Sequence, residues 1–332
     1  MDIAGHAGLF GSTSSVKEIS DLELIDFSVV GTNSAGALAG TLEDCTVKNV
    51  LARNRDNSET SLAKKITATT DAGGLIGKLT SGTVQYSAAA VFVGNSSTTN
   101  AGGLIGSASG TIIGCYSGGH TKNGDYKSWV DTDVTSGVKR GYDVNGATAG
   151  GLVGSSDAEI SGSYSTCSVS GTTVGGFAGS ASGSIEKCYA TGLVNGTTQF
   201  AFVAAGSPYL SGDHFYRVIN EVASTKPGAK EGETEPMLPI SGYTLNSEDM
   251  EKIKPIDLNA DTYNEFAGAW GSWNPARAFD STLMQYYSGS YTLRTVDELI
   301  GSEKPKGYND WNQLFIYTHY GDWPSPEVFF IN

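Results

Sequence analysis

A short apolar pair bracketed by glycine recurs through the first two thirds of the chain. It stands as Ala7-Gly8-Leu9-Phe10-Gly11, Gly36-Ala37-Leu38-Ala39-Gly40, Gly73-Gly74-Leu75-Ile76-Gly77, Gly102-Gly103-Leu104-Ile105-Gly106, Gly150-Gly151-Leu152-Val153-Gly154 and Gly175-Gly176-Phe177-Ala178-Gly179. A worn copy is read at Phe202-Val203-Ala204-Ala205-Gly206. The closing glycines are 29, 37, 29, 48, 25 and 27 residues apart. A motif at such a period marks stacked repeats, each too small to bury a core alone. The short steps are the bare unit, and the long ones carry insertions near 53–70 and 118–148.

Within a unit three short segments alternate, as in Gly176–Gly179, Ser184–Tyr189 and Gly192–Val194. Each is too short for a helix, and Gly and Ser separate them, so they are read as strands joined by turns. Stacked, each strand pairs with its counterparts about 4.8 Å above and below. The expected fold is all-β: a parallel, right-handed β-helix of about seven coils. The motif glycines are expected at sharp turns, often with φ > 0.

Gly-Gly-apolar-apolar-Gly, a gap and then apolar-x-x-Cys-Tyr-x-x-Gly resembles the GLUG motif, and stands here as 102–118 and 175–192. The resemblance covers roughly residues 5–206. It implies a repeat module of large bacterial surface proteins, including the repeat region of some immunoglobulin A proteases. The structural positions it marks are Gly8, Gly11, Gly40, Gly74, Gly77, Gly103, Gly106, Gly151, Gly154, Gly176 and Gly179, with Cys115 and Cys188.

The four cysteines are Cys45, Cys115, Cys167 and Cys188. Cys115 and Cys188 each follow a closing glycine by nine residues, so both are expected in the stack interior. They belong to coils two steps apart, roughly 9.6 Å, whereas a disulfide needs Cα atoms within about 7 Å. Ser163 holds the slot between them. Four buried free thiols are expected.

A net charge of −14 argues against nucleic acid and anionic membrane as partners. No apolar run approaches the roughly 18 residues of a membrane span, so direct membrane insertion is not expected. The chain is taken as a fragment, with export and anchoring signals outside it.

The insertion Arg53–Glu59 is polar and is read as an exposed loop. The insertion at 118–148 is longer and holds Tyr126, Lys127, Trp129 and Tyr142. Long loops in a regular stack are often functional, and aromatics ringed by charge suit a binding surface. Asp131-Thr132-Asp133 hints at calcium, but the sixth and twelfth places of that loop hold Ser136 and Tyr142, which defeats the usual pattern. Asp213–Ile219 is read as a further strand closing the stack.

Three domains are therefore drawn. Residues 1–220 are the repeat β-helix, 221–240 a polar linker, and 241–332 an aromatic-rich cap or small α+β segment. Short helices are expected to open at Asn246 and Thr295. Trp323 in the last segment is a further candidate ligand contact.

No cofactor is expected, and no enzyme. Glu159 and Glu186 come nearest to a carboxylate pair on adjacent coils. The four histidines are isolated, with no His-Glu-x-x-His. The function expected is a non-catalytic adhesin or ligand-binding fragment at the bacterial cell surface, extracellular, meeting a host glycan or host surface or secreted protein. The alternatives are a structural stalk or assembly subunit, and an accessory region of a secreted immunoglobulin protease or carbohydrate-active enzyme.

Overall fold

The computed structural model describes residues 2–3, 5–14, 16–54, 64–118, 120–122, 125–127, 143–165, 167–186, 188–190, 194–211, 214–216 and 253–255. Among these the regular structure is all β, and every strand pairing is parallel except in one hairpin. The chain circulates. From strand Asp71–Gly73 it turns at Gly74-Leu75 into Ile76–Leu79, then runs through Gly82–Gln85, Ala88–Ala90 and Phe92–Gly94. It arrives at Asn100–Gly102, directly beside where it began. Repetition of this circuit builds sheets of six, thirteen and eleven strands. That is the strand arrangement of a parallel β-helix.

Register is kept from turn to turn. In the six-stranded sheet Phe10, Ala39, Ile76, Ile105, Val153 and Ala178 form one row. In the thirteen-stranded sheet Ile19, Val47, Val84, Ile112, Ile160, Ile185 and Leu210 form another. A slip of one residue would turn such a row from the interior to solvent, so the pattern itself fixes the pairing. Between the sheets stands a fully buried column of Leu38, Leu75, Leu104, Leu152, Phe177 and Phe202. Burying each contributes about 1.5–3 kcal/mol. The two phenylalanine rings stack at 4.8 Å.

The motif glycines are needed for a different reason from the one expected. Among the described residues the left-handed glycines are Gly5, Gly82, Gly94, Gly114, Gly118, Gly162, Gly171 and Gly206, and none of them brackets the apolar pair of a well-kept copy. What the motif requires is close approach of backbones. A Cβ on Gly74, Gly103 or Gly151 would overlap the carbonyl oxygen of the equivalent glycine one turn on, and one on Gly176 would overlap that of Ala201. A Cβ on Gly40, Gly77, Gly106, Gly154 or Gly179 would come within 2.5–2.7 Å of the closing-glycine carbonyl of the preceding turn.

The worn copy shifts by two residues. Ala178 pairs with Val203 and Ala181 with Gly206, so Ala204, not Gly206, stands where Gly179 stands one turn below. The first copy is also imperfect, because Ala7 aligns with Ala35 but Phe10 with Ala39. Leu9 is 51% exposed there.

Left-handed backbone appears instead at one corner of the thirteen-stranded sheet. Asp21, Asn49, Tyr86, Gly114 and Gly162 have φ of 55°, 55°, 50°, 59° and 56° and stand one above another. Asp and Asn tolerate this conformation through local hydrogen bonds, and Asn49 Nδ2 donates to Asp21 Oδ1 at 3.0 Å.

The insertions are narrower than the sequence indicated. Arg53 ends strand Cys45–Arg53, and Asn54 is fully buried rather than in an exposed loop. Strands Lys65–Thr67 and Asp143–Gly150 reclaim the far ends. His214–Tyr216 does form a further strand, but Ile253–Pro255 pairs with it in parallel, so it does not close the stack. The linker at 221–240, the rest of 241–332 and the helices expected at Asn246 and Thr295 lie outside the described residues.

Candidate functional site

Both insertions leave the stack at one corner. In the turn between them, strand Ala88–Ala90 passes to strand Phe92–Gly94 through Val91 alone. One turn below, Arg53 aligns with Ala90 and Lys65 with Phe92, and residues 54–64 fill the interval. One turn above, Ser117 aligns with Ala89 and Val144 with Val93, and residues 118–142 fill it. The two exits are two strand spacings apart, roughly 9.6 Å.

The neck of the lower insertion is tied by side chains. Asn54 Nδ2 donates to the Lys64 carbonyl at 2.7 Å, and Asn54 N donates to the Ala90 carbonyl at 3.1 Å. Lys64 Nζ lies 3.3 Å from Asp26 Oδ1, and Arg53 Nε donates to Glu23 Oε1. Each of these half-exposed ion pairs contributes on the order of 0–1 kcal/mol; the buried amide does more to hold the neck shut.

The upper insertion starts at Gly118, whose φ of +104° only glycine adopts without strain. It continues as a two-stranded antiparallel hairpin, His120–Lys122 with Asp125–Lys127, in which His120 opposes Lys127 and Thr121 opposes Tyr126. Tyr126 and Lys127 thus share one strand. Trp129, Tyr142 and Trp323 lie outside the described residues, as do Asp131 and Asp133.

Glu159 and Glu186 are not brought together. Glu186 aligns with Ser161, two positions along from Glu159, and the two point to solvent from different rungs. Among the described residues no three His, Cys, Asp or Glu side chains gather closely enough to hold a metal ion. No helix among them is long and apolar enough to cross a membrane.

The four cysteines are free and buried. Cys115, Ser163 and Cys188 occupy successive rungs of one row, with Ser87 below them. Each side chain donates to the carbonyl two residues earlier in its own turn: Ser87 to Gln85, Cys115 to Ile113, Ser163 to Ser161 and Cys188 to Glu186, at 2.9–3.3 Å. The serines also accept from the turn below, Ser87 from Val50 N and Ser163 from Cys115 N. Burial pushes the Cys115 thiol up to about 12 and raises Cys188 as well. These are inert structural thiols.

Residues 170–195 match the family model of the GLUG motif. The chain carries a GLUG motif. Ser170 and Asn195 are register partners, so this GLUG segment is one complete circuit of the stack, ending directly above its start. No curated protein and no solved structure matches the chain significantly.

Sequence reasoning missed the shared exit corner of the insertions, although both follow the same strand position. It also missed the stacked and buried pair Tyr116 and Tyr164. The signal was present, since each directly follows a residue of the interior row, Cys115 or Ser163.

Proposed function

We propose that this chain is a non-catalytic binding scaffold of a bacterial cell-surface protein, an adhesin whose rigid stack holds two loops side by side at one corner. The observation that carries this reading is the common exit of residues 54–64 and 118–142 on turns separated by a single bare turn. Two unrelated insertions at one corner make a combined surface, whereas insertions serving only as spacers have no need to coincide. The GLUG motif supports the setting, because it is a repeat found in some surface and secreted proteins.

In this reading the stack is right-handed with about seven coils, capped by the C-terminal segment. Tyr126, Lys127, Trp129 and Tyr142 supply contacts at the corner, and Trp323 a further one. Aromatic rings suit both sugar faces and protein hot spots, so the partner is a host glycan or a host surface or secreted protein. The net charge of −14 disfavours nucleic acid and anionic membrane. The location is extracellular.

One observation favours a second reading. Strand Ile253–Pro255 continues the stacking beyond Tyr216, as expected of a stalk or of an accessory region attached to a secreted immunoglobulin protease or carbohydrate-active enzyme.

The test is an array of mucin-type glycans with immunoglobulin and matrix proteins spotted beside them, probed with the labelled chain. Saturable binding to one class, lost when Lys122 and Lys127 are both changed to Glu, is expected. Silence from a folded chain would favour the stalk or accessory reading.

A further inference from the structure

Successive residues of a strand face opposite sides of its sheet. In the second segment of the thirteen-stranded sheet, Ala52, Ala89 and Ala190 belong to the main core. The alternate positions, Leu51, Ala88, Tyr116 and Tyr164, therefore face outward, and none of them is part of that core. Outward positions on the six-stranded sheet are polar and in contact with water: Thr41, Lys78, Ser107, Ser155 and Ser180. This outer row is different. Tyr116 is 3% exposed and Tyr164 1%, and their rings stack at 5.3 Å within 9° of parallel. Around the corner Ala90 and Phe92 form a second buried apolar cluster, separate from the core.

We propose that this outer strip is a docking face and that its occupant is the chain's own segment 128–142. Both ends of the segment are tethered at the border of the strip. It follows Lys127, the last residue of the hairpin that opens three residues after Ser117, and it ends at Asp143, beside Phe92. Its composition matches the face. Trp129, Val130, Val134, Val138 and Tyr142 recur along it, with Asp131, Asp133, Lys139 and Arg140 between them. The other insertion offers one large apolar residue, Leu62, in residues 55–63. The C-terminal segment joins the stack at Ile253–Pro255, three rungs beyond Tyr164.

The inference stands without the adhesin reading, because it concerns what covers the strip and not what the covered wall then binds.

The test places a photoreactive group in the full-length chain, as Tyr116→p-benzoylphenylalanine, and identifies the captured peptide by mass spectrometry. Capture of a peptide from 128–142 is the expected result. Capture of 55–63 or of 217–332, or no capture within the chain, would overturn the proposal. Should that variant not fold, nitration by tetranitromethane decides the matter in the unmodified chain and in Trp129→Ala. Tyr116 and Tyr164 resist nitration in the first, and their rates rise at least tenfold in the second. Equal rates in the two proteins would overturn the proposal.

Discussion

Ser117 donates its hydroxyl to the carbonyl of Gly151 at 2.6 Å, across the interior and one turn on. The contact is possible because the stack is thin there. A Cβ on Gly103 would lie 2.8 Å from Ser117 Cβ, and one on Gly151 would lie 2.9 Å from Ser165 Cβ. The second motif glycine and the small residue opposite it, Ala89, Ser117, Ser165 or Ala190, form a matched pair in each turn. Ser117→Ala removes the hydrogen bond and keeps the volume, so a loss of about 1 kcal/mol is expected in urea unfolding. Ser117→Val adds bulk where none fits and is expected to cost about 1–3 kcal/mol more. Equal stability of the two variants would mean that the pinch is not tight.

The interior thiols give a pH dependence with a definite sign. An unfolded cysteine titrates near 9, whereas burial holds folded Cys115 as the thiol up to about 12. Below pH 9 both states are protonated and the contribution to stability is fully present. Above it the unfolded chain loses protons that the folded chain retains, so stability falls as pH rises from 9 towards 12. Replacing Cys115 and Cys188 by Ser should flatten that part of the curve. In the native chain at pH 8, neither thiol should react with a disulfide reagent until urea unfolds it.

The left-handed corner predicts a stabilising change. Gly occupies it in two turns and Asn or Asp in two others, but Tyr86 sits there with φ 50°. A left-handed L-residue costs about 1–2 kcal/mol, partly offset by the greater chain entropy of glycine. Tyr86→Gly should raise stability by about 0.5–1 kcal/mol, measured as a shift in urea midpoint without a change in slope.

At the lower insertion, Asn54→Ala leaves the Lys64 carbonyl without its donor. A loss of about 1–3 kcal/mol is expected. Arg53→Ala, at a partly exposed ion pair, should cost less than 1 kcal/mol. If Arg53→Ala costs more than Asn54→Ala in thermal unfolding, charge and not the buried amide holds the neck.

The sequence made the stack legible because register and repeat are the same information. Once Leu75, Leu104 and Leu152 are seen at one offset, their column follows. It placed Ser163 between Cys115 and Cys188, and the structure has that order. It did not reveal why the glycines are there, since close approach to the next turn's carbonyl and a positive φ both call for the same residue. It misplaced Gly206 because a glycine two residues late looks like a closing glycine until pairing shows Ala204 in its place. The corner shared by the insertions was hidden because strand ends cannot be read from insertions. Arg53, Asn54 and Lys65 look like loop residues until Ala90 and Phe92 are set beside them.

Thermal unfolding of Gly151→Ala tests the central structural claim most directly. The claim is that each GLUG turn is locked to the next by a glycine lying against a carbonyl. The added Cβ would overlap the Gly176 carbonyl oxygen and the Ser165 hydroxyl; the hydroxyl can rotate, but the carbonyl is backbone held in the stack and cannot yield. The expected result is a loss of about 1–3 kcal/mol, a fall in Tm on the order of 5 °C for a stack of this size. An unchanged or higher Tm would contradict the account, because alanine in place of glycine stabilises a chain wherever the backbone leaves room for it.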